Sequence, residues 1–225
     1  MGSQASLVRP RARTAITRDR IEEAALGAFS EVGFDAASTR EIASRAETKQ
    51  QLITYHYGSK LELWKAVVNR SFGELRERMD ARLAGLEGVD EPTRFRLLLR
   101  EFVLFSAEHP EIARFMMHES ARLTPRLQWL YDRHTRPFIE LLMERIAWAQ
   151  GEGIATAGDP AHLVFVILGA VGMLAHSAEA ELMTSGRSRE PESLEGYVDL
   201  IVRLVLPGDS GSVATPPVAR QRKRR

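Results

Sequence analysis

Between residues 38 and 63 the chain reads STREIASRAETKQQLITYHYGSKLEL, a stretch dense in groups that can touch DNA. Gln50 and Gln51 carry side-chain amides, which pair with N6 and N7 of adenine and so read sequence in the major groove. Tyr55 and His56 are donors for phosphate oxygens, as are the Lys60 ammonium and the backbone amide at the start of the following helix. Lys49 is a further candidate phosphate contact, and Thr54 and Arg40 complete the set of groups expected on the contacting face.

These groups need rigid carriers at a fixed spacing. Thr39 is a suitable N-cap for a short helix in which Ile42, Ala43 and Ala46 share one face. Glu47-Thr48-Lys49 reads as a turn. A second short helix is expected over Gln50–Tyr57, with Leu52 and Ile53 inward and Gln50, Gln51, Thr54, Tyr55 and His56 largely outward. Two small helices joined by such a turn form a helix-turn-helix, whose second helix enters the major groove.

Thr39-Arg40-x-Ile42-Ala43, then Leu52 through Lys60 and Leu63, together resemble the signature of the tetracycline-repressor (TetR) family. The resemblance covers about the first quarter of the chain. Glu47 stands where the family usually has Gly, Thr54 replaces the commonest Tyr, and Tyr57 the commonest Phe. The resemblance implies that Tyr55, His56 and Lys60 grip the DNA backbone and that Arg40 reaches a guanine or a phosphate. It also implies an all-α fold: an N-terminal three-helix DNA-binding domain and a roughly six-helix domain for ligand binding and dimerisation. The function implied is a ligand-responsive transcription regulator, most often a repressor, that binds a palindromic operator as a homodimer.

Composition agrees. The 225 residues are 44% hydrophobic and 27% charged, which suits a globular chain of one or two domains. There is no cysteine, so disulfides, zinc fingers and thiol chemistry are excluded. No apolar run reaches membrane-spanning length, and the N-terminus lacks a signal-peptide core, so a cytoplasmic protein without membrane contact is expected. The net charge is +1, yet residues 1–20 and 207–225 each sum to +4, which leaves −7 on the body between them. Basic ends on an acidic body suit phosphate contact at the edges of the molecule.

The chain divides into a disordered basic arm (1–15), the DNA-binding domain (16–62), an effector-binding and dimerisation domain (63–206) and a disordered basic tail (207–225). Thr17 is expected to cap the first helix, which runs to Gly33. A long helix from Ser59 toward Leu86 joins the domains. Further helices are expected over Glu91–Glu108, Glu111–Arg122, Pro125–Gln150 with a kink or break at Pro137, Asp159–Met183 and Pro191–Leu206, about nine in all.

The last two helices are the expected dimer surface, through Val164, Ile167, Leu168, Val171 and Leu174 on one and Val198, Ile201, Val202 and Val205 on the other. Phe102, Phe105, Met116, Met117, Trp129, Phe138 and Phe165, with His118 and His176 as polar groups, are the expected lining of a pocket for a small apolar or aromatic effector. No cofactor or metal is expected. The alternatives are an effector-independent architectural DNA-binding protein, with weak sequence preference and strong salt dependence, and a helical metal-dependent enzyme. The second lacks the Glu-x-x-His pairs of a di-iron site.

Overall fold

A computed structural model describes residues 5–173, 177–188 and 190–207, and among these there are only helices, turns and loops. Leu174 and His176, and the tail beyond Pro207, lie outside the described residues. Helix α1 spans Ala5–Ala36, α2 Thr39–Arg45, α3 Gln50–Tyr57 and α4 Lys60–Ala84. Then follow α5 (Glu91–Glu108), α6 (Pro110–Ser120), α7 (Pro125–Leu130), α8 (Arg136–Gly151), α9 (Pro160–Met173), α10 (Ser177–Thr184) and α11 (Pro191–Val205).

One boundary differs from expectation, and the break expected at Pro137 is found just before it. Helix α1 begins at Ala5, not at Thr17, so residues 5–15 are helical backbone where an unstructured arm was expected. The segment has no apolar periodicity, but Ala, Leu and Arg are strong helix formers and extend a helix already held by its packed half. The break at the other end falls as expected: Gly33 has φ 75°, outside the helical region, and one more turn follows to Ala36. In the expected helix from Pro125, a π-turn at Tyr131–Thr135 separates α7 from α8. Pro137, in the first turn of α8, has no amide to donate and its ring crowds the carbonyl four residues back. The wider turn accommodates that. Helix α9 is described to Met173 and α10 from Ser177.

Two apolar cores meet along α4. The first joins Ile21, Ala25, Ala28 and Phe29 of α1 to Ile42 and Ala43 of α2, Ile53 and Tyr57 of α3, and Leu63, Trp64, Val67 and Val68 of α4. Phe115 of α6 and Leu130 of α7 belong to it as well. The second joins Phe95, Leu99, Phe102 and Val103 of α5 to Leu142 and Ile146 of α8, with α9 and α11 closing it. Packing therefore does not break at residue 62. The first half of α4 belongs to the same core as the three N-terminal helices, as a unit of about 50 residues requires if it is to bury enough surface.

At the seam, Trp64 is fully buried and donates its indole N–H to Glu119 Oε1 at 3.2 Å. Glu119, only 4% exposed, also accepts from Arg126 Nε at 3.3 Å. The Arg126 guanidinium lies 4.0 Å from the centre of the Phe34 ring. Trp64 further packs against Phe115 at 5.8 Å and Trp129 at 5.7 Å between ring centres. Thus α1, α4, α6 and α7 are tied by one buried polar and aromatic group.

Candidate nucleic-acid interface

Helix α2 is capped by Ser38, not Thr39: the Ser38 hydroxyl accepts from the Glu41 amide at 3.1 Å, and Thr39 becomes the first helical residue. Arg45 fastens α2 to α1, donating to both Glu31 oxygens at 2.8 and 2.7 Å and to Glu41 at 2.5 Å. These charge-assisted bonds raise the Arg45 pKa and hold the helix in one orientation.

The turn closes in a defined way. Thr48 N–H bonds to Ala43 O at 2.9 Å and Glu47 N–H to Ser44 O at 3.1 Å, the paired bonds of a Schellman motif. Glu47 fills the left-handed position with φ 49°, where glycine is the ordinary occupant. Its carboxylate is 2.5 Å from Arg20 Nη2 on α1. The departure from the family pattern is thus accommodated with the turn intact, at the cost of a side chain in strained backbone.

Helix α3 is seated by two residues. Ile53 is buried in the first core, and Tyr57 donates its hydroxyl to Glu22 Oε1 at 2.9 Å. Burial, with the Glu22 bond, pushes the Tyr57 pKa up to about 12. Leu52, expected inward, is exposed, because an eight-residue helix has room for one buried stripe and Ile53 and Tyr57 occupy it at i, i+4.

That seating turns Gln50, Gln51, Thr54 and Tyr55 to solvent, with Tyr55 80% exposed. Tyr55 touches only the edge of the half-buried His56 ring, 5.0 Å away between centres. Gln50 is steadied by its amide, which donates to Thr39 Oγ1 at 2.9 Å. The side chains of Arg40 and Lys49 are exposed. Six of the eight expected contact residues therefore form one open polar face, and His56 flanks it.

Lys60 is the correction. Its ammonium donates to Phe34 O at 2.7 Å, Ala37 O at 2.9 Å and Asp35 O at 3.4 Å, and sits 4.4 Å from the centre of the Phe34 ring. All three protons are engaged by the carbonyls that follow Gly33, so Lys60 ties α4 to α1 and has no N–H left for phosphate. At the neighbouring helix start, the Ser59 hydroxyl caps α4 by accepting from the Glu62 amide at 3.1 Å.

A helix-turn-helix followed by a long connecting helix and a second helical core narrows the choice of family, and comparison with known proteins decides it. The sequence profile of bacterial regulatory proteins, tetR family, matches residues 21–67. The chain is 27% identical over 197 residues to the HTH-type transcriptional regulator RutR of Escherichia coli strain K12, across 84% of this chain and 88% of RutR. Residues 21–67 are thus a TetR-type DNA-binding domain, in a chain that is similar to these regulators over most of its length. It is also 28% identical over 104 residues to the HTH-type transcriptional repressor NicS of Pseudomonas putida strain KT2440, across 46% of this chain and 48% of NicS. The fold is shared with AibR in complex with isovaleryl coenzyme A and operator DNA, at TM-score 0.66 and 20% identity over 85% of this chain and 98% of AibR.

The chain is thus a DNA-binding transcription regulator, and the relatives are named as regulators and not as enzymes. Among the described residues no group of His, Asp or Glu is placed to hold a metal ion. No single helix there is long and apolar enough to cross a membrane.

The expected effector residues are scattered. Phe102 and Phe138 pack at 4.9 Å between ring centres in the second core. They border a small apolar cavity of about 70 Å³ between α4, α5 and α8. Met79, Phe95, Leu98 and Leu142 line it too, and Arg145 is its only charged neighbour among the described residues. Phe105 instead stacks on His109 at 4.5 Å. Met116 and Trp129 pack on the first core, while Met117 and His118 are exposed on α6. Phe165, 67% exposed, lies on the outer face of α9.

The expected dimer residues also need correction. Val164, Ile167, Val171, Val198, Ile201, Val202 and Val205 are all buried within the single chain. Helix α9 is apolar nearly all round, so periodicity does not say which face turns inward, while α11 has one apolar stripe, and the chain's own core takes it. The face left outward carries Phe165, Val166 and Leu168 on α9, with Leu200 (46% exposed) and Leu204 (51% exposed) on α11.

Proposed function

We infer that the chain is a cytoplasmic, dimeric, effector-responsive regulator, and a repressor, that binds a palindromic operator and releases it when a small apolar molecule enters the helical domain. The open polar face of α3, seated by Ile53 and Tyr57, carries this reading. Gln50 and Gln51 read base edges, while Arg40, Lys49, Tyr55 and His56 hold phosphates. A single short helix covers too little DNA for tight specific binding, and a two-fold dimer presents two half-sites about 34–36 Å apart. NicS is named as a repressor, and AibR is described with both an acyl-coenzyme A and operator DNA, which supports the same logic here.

The dimer forms through the outward apolar face of α9 and α11, since an exposed patch rimmed by polar residues marks an interface. Light scattering after size exclusion is expected to give twice the chain mass, and Leu200→Glu with Leu204→Glu to give the chain mass with helicity retained. A monomeric wild-type protein contradicts this reading.

The coupling runs through α4. Its first half belongs to the DNA-binding core and its second half to the core that holds the cavity, with Met79 on the cavity wall. An occupant that moves α4 changes the spacing of the two reading helices in the dimer. Operator affinity then falls by the coupling free energy.

A further inference from the structure

Helix α2 is capped by Ser38, and that frees the neighbouring hydroxyl. The Glu41 amide, which a capping Thr39 would have served, is taken by Ser38. Thr39, half-buried as the first residue of α2, turns its Oγ1 toward the first residue of α3, and the Gln50 amide Nε2 donates to it at 2.9 Å. The two residues lie eleven apart in sequence and meet because paired backbone bonds close the turn between the helices. Arg45, bonded to Glu31 on α1, holds α2, and with it Thr39, in place.

We propose that Thr39 is a positioning residue that makes Gln50 a reader of adenine and denies it guanine. This rests on the reading above that α3 contacts base edges, and it names the base. A glutamine side chain has two N–H groups and one carbonyl oxygen. Free to turn, it sets one N–H and the oxygen against adenine N7 and N6, or both N–H groups against guanine N7 and O6. Thr39 takes one N–H. What remains is one donor and one acceptor, a pair that fits adenine and puts the amide oxygen against an acceptor of guanine.

The reverse orientation of the amide, with the Thr39 hydroxyl donating to Oε1, leaves two N–H groups and fits guanine. That hydroxyl has a single proton, and in the proposed complex a phosphate oxygen, which only accepts, claims it. Thr39 is then left to accept from Gln50. In water an exposed bond of this kind contributes little, but at a protein–DNA interface the local dielectric falls and the bond strengthens. It also holds a long, flexible side chain before binding, so less rotamer freedom is lost when the base is contacted.

The test uses the full-length protein and the duplex it selects from a random library. Each base pair is replaced in turn in both half-sites, and affinity is read by fluorescence anisotropy at constant ionic strength. The position that Gln50→Ala makes indifferent is expected to carry adenine on one strand, bound at least about tenfold more tightly than guanine. Thr39→Val keeps the shape and removes the hydroxyl. It is expected to cut that ratio to about threefold or less, while the position read by Gln51 keeps its own ratio. Thr39→Ser, which restores the hydroxyl, is expected to restore the ratio. Loss of a phosphate contact in Thr39→Val lowers affinity for every duplex alike and does not move the ratio. The proposal is overturned if the Gln50 position prefers guanine or carries no adenine, or if the adenine ratio survives Thr39→Val. It is also overturned if the ratio at the Gln51 position falls in parallel, or if Thr39→Ser behaves like Thr39→Val. Failure of the underlying reading looks different. A consensus that Gln50→Ala leaves unchanged and Gln51→Ala relaxes ends this proposal while α3 remains the reader. No consensus at all ends the reading itself.

Discussion

Replacing Tyr55 by alanine is expected to weaken binding to a specific operator by at least about 100-fold while leaving the melting temperature within a degree or two of wild type. Tyr55 is 80% exposed and touches only His56, so its removal takes almost nothing from the core. Surface changes of that kind stay within about 0.5 kcal/mol. The hydroxyl stands on the outward face of α3, and in the proposed complex it donates to a phosphate. A hydrogen bond to a charged group contributes about 1.5–3 kcal/mol, and the dimer makes it twice. Two such losses give the 100-fold. Gel shift and thermal melting on one preparation check both halves. Unchanged affinity removes Tyr55 from the interface, and a large drop in melting temperature makes it a packing residue.

Trp64→Ala is expected to have the largest effect on stability, about 3–5 kcal/mol, or a fall in melting temperature on the order of 10 °C. The ring is fully buried between Phe34, Phe115 and Trp129, so truncation leaves a cavity. It also strips Glu119 of its indole donor, leaving a buried carboxylate held by Arg126 alone. Trp64→Phe keeps most of the volume and loses the N–H, and is expected to fall between the two. Because this group joins the DNA-binding core to α6 and α7, Trp64→Phe is also expected to blunt effector release of DNA more than DNA binding itself. Denaturant unfolding, with duplex release measured on the same variant, reads both. If Trp64→Ala costs less than about 1 kcal/mol, the junction is not the rigid tie described here.

How far the sequence reached depended on whether a role is local. The α3 face was legible because a short helix exposes whatever its buried stripe leaves, and polar groups of the right chemistry lay next to one another. Pro92 and Pro137 marked real helix starts for a similar reason, as each acts on its own turn. Lys60 was misread because its partners, the carbonyls of Phe34, Asp35 and Ala37, lie more than twenty residues away in the chain. No spacing rule announces them, although a lysine beside a glycine-ended helix is a signal of the kind that could. Most expected dimer residues turn inward: α9 is apolar nearly all round and gives no direction, while the single apolar stripe of α11 serves the chain's own core, which sequence cannot tell from an interface. Phe165 and Val164 are neighbours in sequence, and one faces solvent while the other is buried. The expected effector residues are scattered for a different reason. Aromatics such as Phe102 and Trp129 look alike in a sequence, yet they serve two separate cores, and only contact decides which.

The central claim is that α3 reads duplex DNA by sequence, in two copies held at a fixed spacing. Selection from a random duplex library, with wild type and with Gln50→Ala and Gln51→Ala, tests it most directly. The account predicts a palindromic consensus with half-sites about one helical turn or a multiple of it apart, and a relaxed preference at one symmetric pair of positions for each glutamine variant. Recovery of no consensus, with binding that only tracks salt, or a consensus untouched by both substitutions, contradicts it.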